Sequence, residues 1–355
     1  MNITDLFIQL VQIDSPTGQE KPMADFLMSY LRERGYEAHN DAIGNVFVAI
    51  DGVGEPLFIN AHMDTVSPGT GIKPTVSDGI IRSDGTTILG ADDKVAIAAI
   101  LATLERLKDK THRPLEILFT VDEESESNGA KGFDYSQVRA TEGLIADIGQ
   151  PIGTIVLSSP AYIRFSILFT GEAGHPSRPE LANSVLPAVT DFLASTTTGQ
   201  LDELSIRNIG TVTVGTGINT IPGAATLRGE IRSYDGEKAE AYTAEIHERA
   251  QSLAEQYDLK LSFASQLDNP AYTLTKETPA VKTIAAVMES LNIAPAYMDS
   301  WSCSDANFFN TREMEVVVIG NGVVDAHTVH ESVAVSALEQ LTDVIEAYCL
   351  KGANK

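Results

Sequence analysis

Short apolar runs alternate with amphipathic segments over the first 150 residues. Spacings of three and four between apolar positions predict helices over residues 6–35, with a break at 15–18, and over residues 92–107. Period-two or continuous apolar runs predict strands at residues 46–50, 56–61, 115–121 and 143–146. The first two of these strands are separated by an Asp-Gly-Val-Gly turn. This order of strands and helices predicts an α/β fold with a mostly parallel sheet.

The middle of the chain has a different pattern. Strands and helices are mixed there without strand–helix–strand alternation, at residues 163–169, 186–193, 211–214, 225–233 and 236–257. The alternating pattern then returns, with elements predicted at residues 276–291, 315–319 and 331–349. We therefore expect a discontinuous catalytic domain, residues 1–162 and 267–355, with a smaller α+β lid or dimerisation-type domain inserted at 163–266.

Charge and cysteine content exclude several classes of protein. The 355 residues include 25 basic and 49 acidic side chains, so the formal charge is 25 − 49 = −24. Such a surface repels phosphate backbones and anionic lipids, so nucleic acid and membranes are not expected partners. Cys303 and Cys349 alone cannot form a disulfide framework or a thiolate zinc cluster. With no apolar run of membrane-spanning length and no basic leader, we expect a cytoplasmic protein.

Polar clusters follow the predicted strands at the points where these strands end. His62 and Asp64 follow one strand, Glu123 and Glu124 follow another, and Asp147 follows a third. Asp92 is the first residue of the helix predicted over residues 92–107, and His327 lies beyond the strand at 315–319. Because ligands of open α/β sheets collect beyond the carboxyl ends of strands, we expect these side chains to share one crevice.

Histidines and carboxylates without a thiolate suit zinc, manganese or cobalt. So many carboxylates in one crevice repel one another unless cations neutralise them, and a carboxylate between two metal ions can bridge both. A further carboxylate that binds no metal can act as general base on water. Taken singly, each cluster also fits a solvated turn, a helix N-cap or an acidic loop; the joint pattern favours a metal site.

These motifs, in this order, resemble those of the M20 metallopeptidases. They are HMDTV at 62–66, GADDK at 90–94, DEE at 122–124, Asp147, and His-x-x-x-Glu at 327–331. The LGADDK and DEE motifs are most similar to the peptidase T-like branch. The order and spacing of these motifs agree with those of the family over nearly the whole chain.

The resemblance implies a role for each cluster. His62 and Asp147 would hold one divalent ion, Glu124 and His327 a second, and Asp92 would bridge them. Glu123 would be general base and acid, Asp64 the partner of His62, and a cis peptide would follow Asp92. Zinc is the expected metal, with manganese or cobalt as alternatives.

Residues of the predicted lid also match the family. His175, in Gly-Glu-Ala-Gly-His, resembles the residue that stabilises the oxyanion. Asn219 and Arg232 resemble the residues that grip the substrate's carboxylate or backbone, a task for which the planar guanidinium is suited. Cys303 stands where the family usually has glycine in a loop near the substrate, so the resemblance leaves substrate preference open.

The resemblance predicts a hydrolase of short peptides, an aminotripeptidase in which Glu123 prepares a metal-bridging hydroxide. A homodimer is possible, as in part of the family. An N-acyl amino acid deacylase or a carboxypeptidase on the same scaffold is the alternative. A catalytically silent binding protein is disfavoured, because it would not need Glu123. Phosphoryl transfer is disfavoured, because the chain has no glycine-rich phosphate loop.

Overall fold

The computed structural model describes residues 2–353. Its α-helices are α1 (Ile3–Val11), α2 (Lys21–Glu33), α3 (Ala91–Leu107), α4 (Asn128–Gly132), α5 (Leu186–Ser195), α6 (Gly236–Gln256), α7 (Pro279–Ser290), α8 (Ala306–Phe309) and α9 (Val335–Leu350). Its strands are β1 (Ala38–Asn40), β2 (Val46–Ile50), β3 (Leu57–His62), β4 (Thr75–Ser77), β5 (Ile80–Arg82), β6 (Leu115–Thr120), β7 (Glu142–Ile145), β8 (Thr154–Ser159), β9 (Ala161–Thr170), β10 (Gly199–Asp202), β11 (Ser205–Val214), β12 (Ala224–Ser233), β13 (Lys260–Asn269), β14 (Tyr272–Thr273), β15 (Ala296–Asp299), β16 (Glu315–Ile319), β17 (Val323–Val324) and β18 (Ser332–Ala334).

The chain forms two compact units. The first comprises the chain up to Leu157, Leu274–Ser300, and the chain from Ser304 onward; the second comprises Ser158–Thr273 and Trp301–Cys303. The domain limits expected from the sequence, with the insertion at 163–266, remain a prediction.

The large sheet of the first unit confirms the α/β class. Its strands run in the order β1-β2-β6-β3-β7-β16-β8. Pairing is parallel between β6 and β3, between β3 and β7, and between β7 and β16, and antiparallel further out. The sheet is therefore mixed, with its parallel part at the centre. The strands β3 and β6 are buried along their whole length, as expected for strands covered on both faces.

Helix α3 covers the centre of this sheet. It packs against β3, α1 and α9, and its residues from Asp93 to Leu101 are all buried. A helix that is apolar on every side needs cover on every side, which explains why α1 and α9 flank it. Within residues 2–353 no helix is both long and apolar enough to cross a membrane.

The strands β2 and β3, which the predicted turn separates, are not neighbours in the sheet, because β6 lies between them and pairs with both. The predicted start of the final helix at residue 331 is wrong, since this helix begins at Val335. Residues 332–334 instead form β18, which pairs with β5 and β17 in a four-stranded antiparallel sheet that also contains β4. The extended pairing of this segment removes its amides from the helix.

The second unit is a five-stranded antiparallel sheet in the order β10-β11-β12-β9-β13. Alternate residues of β9 are buried, from Ala161 through Phe169, and they form a core with α5 and α6. The intervening residues of β9 are partly or fully exposed. The ten-residue strand β13 was not predicted, because four of its six exposed residues are polar and it lies at the sheet edge.

Glu116, on β6, is fully buried and provides a test of the sheet's packing. Its Oε2 accepts hydrogen bonds from the amides of Arg139 at 2.9 Å and Ala140 at 3.0 Å. Glu116→Ala should lower the free energy of unfolding by about 2 to 4 kcal/mol, because two backbone amides, of which that of Ala140 is buried, lose their charged acceptor. Urea titration measures this change, with Glu289→Ala, at an exposed position of α7, as control. Equal stability of the two variants would contradict the assignment.

Candidate metal centre

The central parallel strands bring the sequence-predicted polar residues of the first unit to one edge of the sheet. His62 ends β3, Glu123 and Glu124 follow β6, and Asp147 follows β7. Parallel strands have their carboxyl ends at the same edge, so these side chains converge.

Asp92 lies between the two histidines of this cluster. Its Oδ1 is 3.6 Å from His62 Nε2, and its Oδ2 is 3.4 Å from His327 Nε2. His62 Nε2 is also 3.7 Å from Asp147 Oδ1, and His327 Nε2 is 2.9 Å from Glu124 Oε1. Both histidines thus lie near Asp92, and each lies near one further carboxylate, Asp147 for His62 and Glu124 for His327. This arrangement has the form of two cation sites joined by one carboxylate.

The cluster fits divalent cations on the chemistry of its donors. Potential ligand atoms of His62, Asp92 and Asp147 all lie within 4.8 Å of one another, as do those of Asp92, Glu124 and His327. Within residues 2–353, His62 Nε2 and Asp92 Oδ1 are buried and have no hydrogen-bond partner. Buried polar atoms without partners are uncommon in proteins, and a bound cation would satisfy both.

The electrostatics of the cluster show an excess of negative charge. Burial raises the pKa of Glu123 well above its usual value, and the charge of Asp147 raises it further. Burial raises the pKa of Asp147 itself to about 6. Hydrogen bonds to Asp92 and Glu124 raise the pKa of His327 to about 10. Cations at this place would stabilise the ionised carboxylates and the neutral imidazoles.

Asp64 is fully buried and connects β3 to the loop after β6. Its Oδ1 and Oδ2 accept the amides of Glu123 and Glu124 at 3.0 and 3.2 Å, and its Oδ2 also accepts the Thr17 hydroxyl at 2.9 Å. His62 Nδ1 lies 3.0 Å from the Asp64 backbone oxygen and 3.4 Å from its Oδ1. The backbone oxygen is thus the nearer acceptor for the imidazole, and the carboxylate mainly holds the loop.

A buried carboxylate also holds the start of α3. Glu331 accepts the amides of Gly90, Ala91 and Asp92 at 2.7, 2.9 and 3.1 Å. A carboxylate is favourable at a helix N-terminus, where amides lack partners within the helix. The peptide between Asp92 and Asp93 is cis, as the family resemblance implies.

The other predicted site residues belong to the second unit. His175 is exposed, and its Nδ1 lies 2.7 Å from the Ser177 hydroxyl. Asn219 is exposed in the loop between β11 and β12. Arg232, on β12, is half-buried; its Nη1 donates to the Trp301 oxygen at 2.8 Å, and its guanidinium lies 4.4 Å from the centre of the Tyr162 ring. The roles expected for these three residues remain predictions.

Sequence reasoning missed three buried residues beside the cluster. Glu20 and Asn45 accept backbone amides of the loop after β6, and Asp305 Oδ2 accepts the Thr120 hydroxyl at 2.6 Å. No pattern in the sequence indicates Glu20 or Asn45, because their hydrogen-bond partners are backbone groups. Asp305 could have been found, since it stands in the loop that the family resemblance already singled out.

Asp64→Ala should release the amides of Glu123 and Glu124. We expect these amides to exchange with solvent about tenfold faster or more, because a bond to a charged acceptor is lost. Hydrogen–deuterium exchange of a peptide that covers residues 121–125 measures this in the metal-free protein, with Glu289→Ala as control. Unchanged exchange in this peptide would refute the role of Asp64 in holding the loop.

Comparison with known proteins agrees with this geometry. The model of peptidase family M20/M25/M40 matches residues 58–351. Protein YqjE of Bacillus subtilis is 27% identical over 96% of this chain and 95% of its own length.

Two solved structures are similar over the whole chain. A tripeptidase from Staphylococcus aureus is 28% identical, with a TM-score of 0.95 over 100% of this chain and 98% of its own. The aminopeptidase PepT from Bacillus cereus is 29% identical, with a TM-score of 0.92 and the same coverage. The predicted resemblance is confirmed: the chain belongs to peptidase family M20/M25/M40 and is a hydrolase of peptide bonds.

Proposed function

We propose that the protein is a dinuclear metallopeptidase that removes the N-terminal residue from tripeptides. The observation that carries the proposal is the position of Asp92 between His62 and His327, each of which has a further carboxylate of its own. The similarity to a tripeptidase and to PepT supports the choice of a short peptide as substrate.

The proposed ligands follow from the distances. His62 and Asp147 would hold one divalent cation, Glu124 and His327 the other, and Asp92 would contact both. Zinc is our proposed metal, because imidazole and carboxylate ligands suit it. Bound cations in such a pair supply Lewis-acid polarisation of the scissile carbonyl and activation of water.

Glu123 is proposed as the group that moves the proton. One of its carboxylate oxygens lies within 4.8 Å of potential ligand atoms of His62 and Glu124. The contacts to Asp92 come from His62 and His327 and not from Glu123. Its carboxylate would accept a proton from the attacking water and deliver it to the leaving nitrogen. His175 is proposed to stabilise the oxyanion, and Asn219 and Arg232 to bind the peptide.

Glu123→Gln separates this role from metal binding. We expect kcat to fall on the order of a hundredfold to ten-thousandfold, because proton transfer in the transition state is lost. The metal content after dialysis should equal that of the unmodified protein, since Glu123 is not a proposed ligand. The control is Glu289→Gln, at an exposed position in α7. Loss of metal from the Glu123 variant, or retained hydrolysis, would refute the assignment.

A product analysis tests the substrate class. Metal-loaded protein receives one tripeptide with a free N-terminus and the same tripeptide acetylated, and mass spectrometry identifies the products. We expect release of the first residue from the free form alone, since an aminopeptidase site requires the ammonium group. Loss of acetate or of the last residue from the acetylated form would instead support the deacylase or the carboxypeptidase.

A further inference from the structure

The loop after β6, which carries Glu123 and Glu124, is held by side chains from three other parts of the chain. Each of four successive amides donates to a side-chain oxygen: Val121 to Asn45 Oδ1 at 3.1 Å, Asp122 to Glu20 Oε1 at 3.2 Å, Glu123 to Asp64 Oδ1 at 3.0 Å and Glu124 to Asp64 Oδ2 at 3.2 Å. The loop is outside regular structure at this point, so these side chains replace the bonds of a sheet or helix.

Glu20 is the member of this set farthest from the family's motifs. It precedes α2 and lies outside the residues that the family model matches, 58–351. The residue is only 6% exposed, and the oxygen that accepts the Asp122 amide also accepts the Gly18 amide at 2.8 Å. Both bonds fix the carboxylate against the backbone on either side of it. A buried carboxylate that accepts two amides is typical of a structural anchor.

The anchored residue has an unusual backbone. Asp122 has a φ of +58°, a conformation that residues other than glycine rarely adopt. Such a conformation persists where neighbouring contacts enforce it, and here the Glu20 carboxylate holds the Asp122 amide. The next residue is Glu123, so a change of φ at Asp122 rotates the backbone that directs the Glu123 side chain.

We propose that Glu20 is a positioning residue for Glu123 and Glu124: its carboxylate oxygen fixes the Asp122 amide and thereby the direction of the two side chains that follow. Glu20 acts through the backbone and does not itself contact the substrate or a metal ion. The kinetic part of this inference rests on the proposed peptidase activity, whereas the geometric part does not.

Two variants of Glu20 separate the position of the oxygen from its charge. Glu20→Gln keeps an acceptor oxygen at the same reach, so kcat should stay within about threefold of the unmodified enzyme. Glu20→Asp keeps the charge but shortens the side chain by one methylene group. It should lower kcat by about tenfold to a hundredfold, as expected for a misplaced catalytic group, with a KM change below about twofold.

A spectroscopic measurement provides a readout that does not depend on hydrolysis. The visible absorption of the Co²⁺-loaded protein reports the geometry of the cation's ligands, of which Glu124 is a proposed member. Glu20→Asp should change this spectrum, and Glu20→Gln should not. The matched control is Glu116→Ala, which also frees two backbone amides of the same unit, those of Arg139 and Ala140, but in a loop without proposed ligands. All variants are measured below their unfolding temperatures.

Each result has a defined meaning. A change in kcat and spectrum for Glu20→Asp alone supports the proposal. Equal properties of Glu20→Asp and the unmodified protein would overturn it, as would equal damage in Glu20→Gln, which would make charge the cause. The same effects in Glu116→Ala would overturn it in favour of general destabilisation. If the unmodified protein cleaves no tripeptide, the proposed function fails, and the Co²⁺ spectra alone decide the role of Glu20.

Discussion

The first unit must accommodate many carboxylates at one edge of its sheet, and the rest of the site depends on how their charge is balanced. These carboxylates have two kinds of partner, backbone amides and histidines. Asp64, Glu20 and Glu331 accept backbone amides, which are neutral donors that offset part of the cost of burying a carboxylate. Asp92 and Glu124 contact histidines instead and leave ligand atoms for a proposed cation. The amide-bound carboxylates hold the backbone, and the others form the centre.

This division explains how loops can present catalytic groups with little freedom. The segments that carry Asp92, Glu123 and Glu124 each lie at a strand end or helix start, where backbone amides lack regular partners. Side-chain oxygens from distant parts of the chain satisfy those amides, so the segments are tied to the folded core. A site held in this way is organised before the substrate binds, which is the condition for efficient orientation of reacting groups. Thr17 and Glu20, near the N-terminus, are among the residues that support these segments.

The sequence predicted the side chains of the cluster better than the contacts that support them. His62, Asp92, Glu124, Asp147 and His327 were predicted because clusters of this kind recur at successive strand ends and helix starts, and because five motifs occur in the order of the family. Glu20 and Asn45 accept backbone amides. Because almost every residue type has such an amide, the sequence does not reveal these contacts. The position of β6 between β2 and β3 was missed for a related reason, since pairing is decided by crossovers and not by the turn that separates two strands. Residues 332–334 fit a helical pattern locally, but pairing with β5 makes them a strand.

The predicted functional residues of the second unit are more exposed than the cluster of the first unit, and this difference concerns substrate specificity. His175 and Asn219 are exposed, on loops, whereas Arg232 lies on a strand with its guanidinium against Trp301 and Tyr162. Loops at the surface tolerate substitution because few buried groups depend on them. The centre in the first unit cannot change in this way, since replacing one carboxylate leaves amides or histidines without partners. Under the proposed roles of His175 and Asn219, the choice of peptide would depend on exposed loops of the second unit, which can change at little cost to its core.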